Sequence, residues 1–307
     1  MRGLWYIDGI DIFTKYNIGI VRDGFNDLFV FPAFKDLYYN DWPENDGIDI
    51  DLSDPKLNNK TVDIKFASVT VNNEMIDSFI VFLTQPGYRT LTMTTLGRSW
   101  QLRLNKESAR NVERNTQEFT LQFYDDFPLI TGSFTRKGYG FNLPKSEYKL
   151  DGISFSEYGL IVNKGKAEIY KSPDQKTNLE VNIGTLNSVI YDTSLYVFKQ
   201  KEVTLQCSFL CENLDMFWSN YFSFFSDLIK PESRLLAVDY MDDVFECHYK
   251  SSSDFKIEIH PSYILCQFSL VLIFTNYRPL ETVYVWGSQD NKVISTLDSK
   301  NAIKYQK

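Results

Sequence analysis

The side chains best suited to chemistry are few, and their spacing does not assemble them. The sequence has only two histidines, His248 and His260. Histidine is the usual base beside a serine or cysteine nucleophile, and it must lie within hydrogen-bond reach of that nucleophile. His248 directly follows Cys247, and neighbours along a strand point to opposite faces. His260 precedes Pro261 in a turn-forming context. No G-x-S-x-G, H-E-x-x-H, P-loop or G-x-G-x-x-G pattern occurs. Cys207, Cys211, Cys247 and Cys266 offer soft ligands near His248. Structural zinc sites, however, bring ligands in close pairs on turns, whereas Cys207 and Cys211 sit within one alternating run. Free cysteine also packs as a small hydrophobe, and that is the role expected of all four.

The densest carboxylates lie in NDWPENDGIDIDLSDP (40–55). A calcium loop is a poor fit: counted from Asp49 the glycine position is filled otherwise, and the twelfth residue is Lys60, not glutamate. The expectation is an exposed edge strand whose charges discourage aggregation. The alternative is an assembly contact through Trp42 with Glu44, Asp46, Asp49 and Asp51. Together with Tyr284 and Trp286 near the C-terminus, these form the candidate assembly interface. No catalytic residue, metal or cofactor is expected, and the chain reads as a non-enzyme.

Composition sets the frame for these residues. Aromatic residues make up 16% of the 307, with 24 Phe and 19 Tyr, and aromatics suit pleated, half-buried surfaces. The net charge of −8 argues against general nucleic-acid binding, which neutralises phosphates with Lys and Arg. MRGLWYIDGI carries no apolar run of the secretory kind. The nearest candidate for a membrane span, Tyr263–Phe274, is short and interrupted by Gln267. A reducing cytoplasm and no membrane are the expectations.

The elements repeat. Ile7 opens IDGIDIFTKYNIGIV and Leu150 opens LDGISFSEYGLIV, each with an Asp-Gly turn between apolar pieces. KTVDIKFASVTVN (60–72) aligns without gaps on KEVTLQCSFLCEN (201–213), and both alternate with period two, as strands do. Helix-like spacing follows, from Met75 and from Met216, behind candidate N-caps Asn72 or Asn73 and Asn213. Strands then resume, and the last of each copy ends before Pro128 and Pro279, which sets Phe123 against Phe274. The expected fold is mainly β (α+β): two tandem β-rich domains, each with one packed helix. The boundaries are 1–128 for the first domain, 129–149 for a linker or hairpin arm, 150–279 for the second domain and 280–307 for a C-terminal β-hairpin arm.

The stretches Tyr16-Asn17-Ile18-Gly19-Ile20, Phe31-Pro32-Ala33-Phe34-Lys35 and Asn40-Asp41-Trp42-Pro43-Glu44-Asn45-Asp46-Gly47 resemble the N-terminal region of phage and prophage distal tail proteins. The resemblance covers mainly 7–128. It implies a tail-tube-like β-sandwich or split barrel with one packed helix, a virion tail location after assembly in a bacterial host, and a homo-oligomeric ring joining the tail tube to the tip or baseplate. Six copies are expected, with a trimeric hub of pseudo-sixfold symmetry as the alternative. Tail tube and tip or hub proteins are the implied partners, with DNA passing through the lumen unbound. A carbohydrate-binding adhesin module is the reading from a different class. The resemblance departs at the C-terminus, where many family members carry a galectin-like domain and this chain repeats its first one.

Overall fold

The computed structural model describes residues 2–108, 110–113, 116–128, 132–177, 180–191, 196–238 and 243–276, with the backbone of 284–285 and 304–305. The chain is mainly β. In the first half, β1 (Trp5–Ile7), β2 (Ile10–Asp11), α1 (Ile12–Tyr16) and β3 (Ile18–Ile20) lead to a projecting hairpin, β4 (Tyr39–Asn40) and β5 (Asp49–Ile50). Then come β6 (Lys60–Ser68), α2 (Asn73–Leu83), β7 (Arg89–Met93), β8 (Arg98–Glu107), β9 (Asn111–Glu113) and β10 (Thr116–Asp125). The second half has β11 (Tyr148–Leu150), β12 (Ile153–Ser154), β13 (Leu160–Lys164), α3 (Lys166–Tyr170), and a second projecting hairpin, β14 (Glu180–Val181) and β15 (Ile190–Tyr191). It continues with β16 (Lys201–Cys211), α4 (Leu214–Leu228), β17 (Arg234–Val238), β18 (Asp243–Ile259) and β19 (Ile264–Phe274).

The two antiparallel sheets run in the same spatial order. One is β2-β1-β7-β8-β10-β6-β3, with β9 paired to β10; the other is β12-β11-β17-β18-β19-β16-β13. Period-two patterning drives this: Val62, Ile64 and Phe66 of β6 are fully buried while the residues between them face out. Both Asp-Gly turns need two residues at positive φ, and Asp8, Gly9, Asp151 and Gly152 supply them. Asn72 and Asn213 cap α2 and α4 by accepting from the amides of Met75 and Met216.

Core packing shows a size exchange between the halves. Phe66 pairs with and stacks on Phe119. At the matching place Cys207 faces Phe268, and the ring that stacks on Phe268 comes from Phe209, two residues along, where the first half has Ser68. Small and large have traded positions, which holds the packed volume nearly constant.

The structure departs from the sequence reading in several places. A one-turn helix, α1, stands between β2 and β3, capped by the Asp11 carboxylate and ended by Asn17 at φ 56°. Residues 132–147 contain no strand; they strap α4 through Arg136 to Asp227 and the Lys137 amide to Asn220. Lys60 pairs with Asp125 and Lys201 with Phe274, so Phe274 matches Asp125, not Phe123. Within the expected C-terminal hairpin arm, Tyr284–Val285 forms a strand, β20, paired with β21 (Lys304–Tyr305); the rest of 280–307 lies outside the described residues. No helix among the described residues is long and apolar enough to cross a membrane.

Candidate assembly interface

The halves are joined by a crossing strap. After a 3₁₀ turn at Asn26–Phe29, the chain carries Phe29–Phe34 onto α4 and β18 of the other half. Phe31 stacks on Phe225 at 4.4 Å and meets Tyr249 edge-on. Phe29 stacks on Trp218 at 5.7 Å. Backbone groups of a buried strap need partners, and side chains of the second half provide them. The Ser252 hydroxyl accepts from the Phe31 amide, the Tyr249 hydroxyl donates to the Phe31 carbonyl, and the Tyr221 hydroxyl donates to the Phe29 carbonyl. Trp218 returns a bond to the Leu96 carbonyl, and Arg98 lies over the Trp218 and Phe222 rings at 4.8 and 4.4 Å. A cavity of about 200 Å³ opens beside this junction, lined in part by Lys60, Arg98, Trp100 and Tyr221.

Beyond the strap the first hairpin reaches the second half at its tip. Lys176 is 2% exposed. Its ammonium donates to the carbonyls of Trp42, Asn45 and Gly47 at 2.7–2.8 Å and pairs with Asp41 at 2.5 Å. The Asp46 carboxylate accepts from the Phe198 amide, the Gly47 amide donates to the Phe198 carbonyl, and the Ile48 amide donates to Thr275. Gly47 is required here: its φ is +68°, and a Cβ would fall 1.5 Å from the Thr275 carbonyl oxygen.

The expected edge strand at 40–55 is therefore a short hairpin whose tip folds around a lysine. A buried ammonium demands compensating partners, and the acidic, carbonyl-rich tip supplies them. Of the sequence-predicted interface residues, Asp46 works inside the chain. Trp42 lends its carbonyl inward while its side chain stays half exposed. Glu44 and Asp49 are exposed, and the exposed Asp51 binds Ser53, which holds its carboxyl below the usual range. Tyr284 sits in β20, and Trp286 lies outside the described residues. The sequence reading missed Lys176 and Phe198 altogether. No local signal marked them, because the groups that hold them lie more than a hundred residues earlier in the chain.

Two further lysines are buried at matching positions. Lys60 donates to the Leu28 carbonyl and lies 3.8 Å from Asp125. Lys201 donates to the Ile169 carbonyl, and the Phe274 ring replaces the carboxylate. Burial lowers both to about 8. The four cysteines and His248 are also shut in. All four cysteines are buried as free thiols, and burial raises each one, Cys211 to about 11. Burial lowers His248 to about 4, and its Nδ1 has no partner. His260 stacks on Tyr263 beside Glu258. Among the described residues, no group of three His, Cys, Asp or Glu is placed to hold a metal.

The second hairpin copies the first at one fixed sequence offset. Phe34 bridges Leu57, and Gln175 bridges Phe198. Tyr39 pairs with Ile50 as Glu180 pairs with Tyr191. The turn from the Asn45 amide to the Trp42 carbonyl recurs from Leu186 to Ile183. Unlike the first tip, Val181–Ile190 is exposed throughout, including Ile183, Leu186 and Val189.

No family model matches the chain, and no curated protein matches it. Among solved structures, the chain is similar in outline to the SPP1 Dit (gp 19.1) protein, described as a paradigm of the hub adsorption apparatus in phages infecting Gram-positive bacteria. The likeness has 10% identity and a TM-score of 0.32, over 88% of this chain and 98% of that one.

Proposed function

We propose that the chain is a non-catalytic structural subunit of a phage or phage-like tail, forming a ring that joins the tail tube to the tip or baseplate. One observation carries the self-assembling part: the tip of the first arm docks on the base of the second arm, an unlike face, within the chain, while a matching arm on the second half and a matching lysine on the first stay exposed. Contacts between unlike faces close into rings when repeated by rotation. The tail assignment rests on the resemblance of 7–128 to distal tail proteins. Reading the two halves as tandem tail-tube-like domains belongs to the same proposal. The net charge of −8 suits a lumen along which DNA slides without sticking.

A second reading has specific support. Each chain already contains one head-to-tail joint, so three chains supply six like units and close a pseudo-sixfold hub; six chains supply twelve. Negative-stain imaging of the purified protein, alone and with tail tube and tip proteins from the same genome, tests both. Rings that join those partners are expected, and their symmetry separates six copies from three. A strict monomer at every concentration and with every partner overturns the proposal.

A further inference from the structure

We propose that the second arm docks on Lys35 of a second copy of this chain, repeating between molecules the joint that the first arm makes within one. The inference deepens the proposed ring role and rests on its self-association.

The donor side is preformed. At the first tip, the carbonyls of Trp42, Asn45 and Gly47 surround the Lys176 ammonium. The matching carbonyls of the second tip belong to Ile183, Leu186 and Ser188. The Leu186–Ile183 turn bond is present, and Ser188 has φ +79° against +68° for Gly47. A serine at positive φ is disfavoured, so the tip holds its carbonyl cradle at an energetic cost and without a lysine of its own. Asn187 stands where Asp46 accepts from Phe198.

The receiver side is present too. The Lys35 amide bonds the Lys56 carbonyl as the Lys176 amide bonds Val197, so both lysines spring from the same hairpin base. Lys176 is buried by a tip, whereas Lys35 is exposed. Leu57 offers the backbone N–H and C=O that Phe198 gives to Asp46 and Gly47. On α2, Val81 is 64% exposed at the place where α4 has Phe222, itself buried against Trp218.

The two joints differ in strength. Ser188 has a Cβ where Gly47 has none, and the Cβ of Gly47 would strike a strand end. The second tip therefore seats farther from the strand end and relies on Lys35 and Leu57. Asn182 and Asn187 replace Asp41 and Asp46, so no carboxylate pairs with Lys35. Ser172 replaces Phe31. The joint between molecules is thus more polar and less charged than the one within the chain, and it is reversible.

Sedimentation of the wild type over a concentration series is expected to show growing head-to-tail species. Lys35→Glu and Leu186→Asp, both at exposed positions, should each weaken association by about tenfold or more while thermal unfolding stays unchanged. A mixture of Lys35→Cys chains with Leu186→Cys chains should cross-link through a short bismaleimide, and neither chain alone should do so as efficiently. Association of both charge variants at the wild-type level, or efficient Lys35→Cys self-cross-linking, overturns the proposal. If the protein joins tail partners while Lys35→Glu changes nothing, the docking fails and the tail reading stands. If Lys35→Glu abolishes self-association but no tail partner is ever joined, the docking stands and the tail reading fails.

Discussion

At the residue scale, what the sequence displayed depended on whether a residue's partners were close in the chain. Asn213, and Asn72 or its neighbour Asn73, were readable as caps because a cap accepts from an amide three residues on, and the structure selects Asn72. Lys176 was not readable, because its carbonyl partners come from a tip more than a hundred residues earlier. Cys207 was readable as a packing residue because the alignment of 201–213 on 60–72 sets it on Phe66. His248 gives a pH test. In the fold its titration is lowered to about 4 by burial, against 6.5 when unperturbed. The unfolded chain therefore binds the proton first, and stability is lost as pH falls from about 6.5 towards 4. His248→Leu should flatten that part of the urea-midpoint profile. Parallel profiles for variant and wild type would sink the assignment.

At the element scale, long periodic elements were legible, and short ones only where a turn signal such as Asp-Gly marked them. The eleven residues of β16 and the fifteen of α4 give several repeats of their period. The five-residue α1 gives little more than one turn, and the hairpin strands β4, β5, β14 and β15 have two residues each. No period shows at that length. The acidic run also misled, since charge suggests solvent while Asp41 and Asp46 serve a buried lysine and a backbone amide. The strap is the element that couples the halves. Because Phe31 is stacked inside the second half's aromatic core, the wild type should unfold in one calorimetric transition. Phe31→Ala should cost about 3–5 kcal/mol and split that transition in two. Two transitions in the wild type would show that the strap does not couple the halves.

At the scale of the whole molecule, the mainly β architecture followed from composition and period, and the two sheets share one strand order apart from β9. How the halves touch was not legible, because Phe29, Phe31 and Trp218 are aromatic in a chain already rich in aromatics, and no local pattern marks a ring that leaves its own sheet. The fixed offset has a further consequence. From Leu28 and Ile169 through Met75 and Met216, every matched bond keeps one spacing. Across the later turns the spacing drifts, as Arg89 with Asp8 and Arg234 with Asp151 show. Chain length is therefore metered between the strap and the helix cap and left slack elsewhere, as in a ruler whose two ends must meet fixed marks. One glycine inserted after Gly87, in the exposed turn between α2 and β7, should leave the urea midpoint nearly unchanged. The same insertion after Pro55 should release the first tip from Lys176, and limited proteolysis at 41–48 would reveal it.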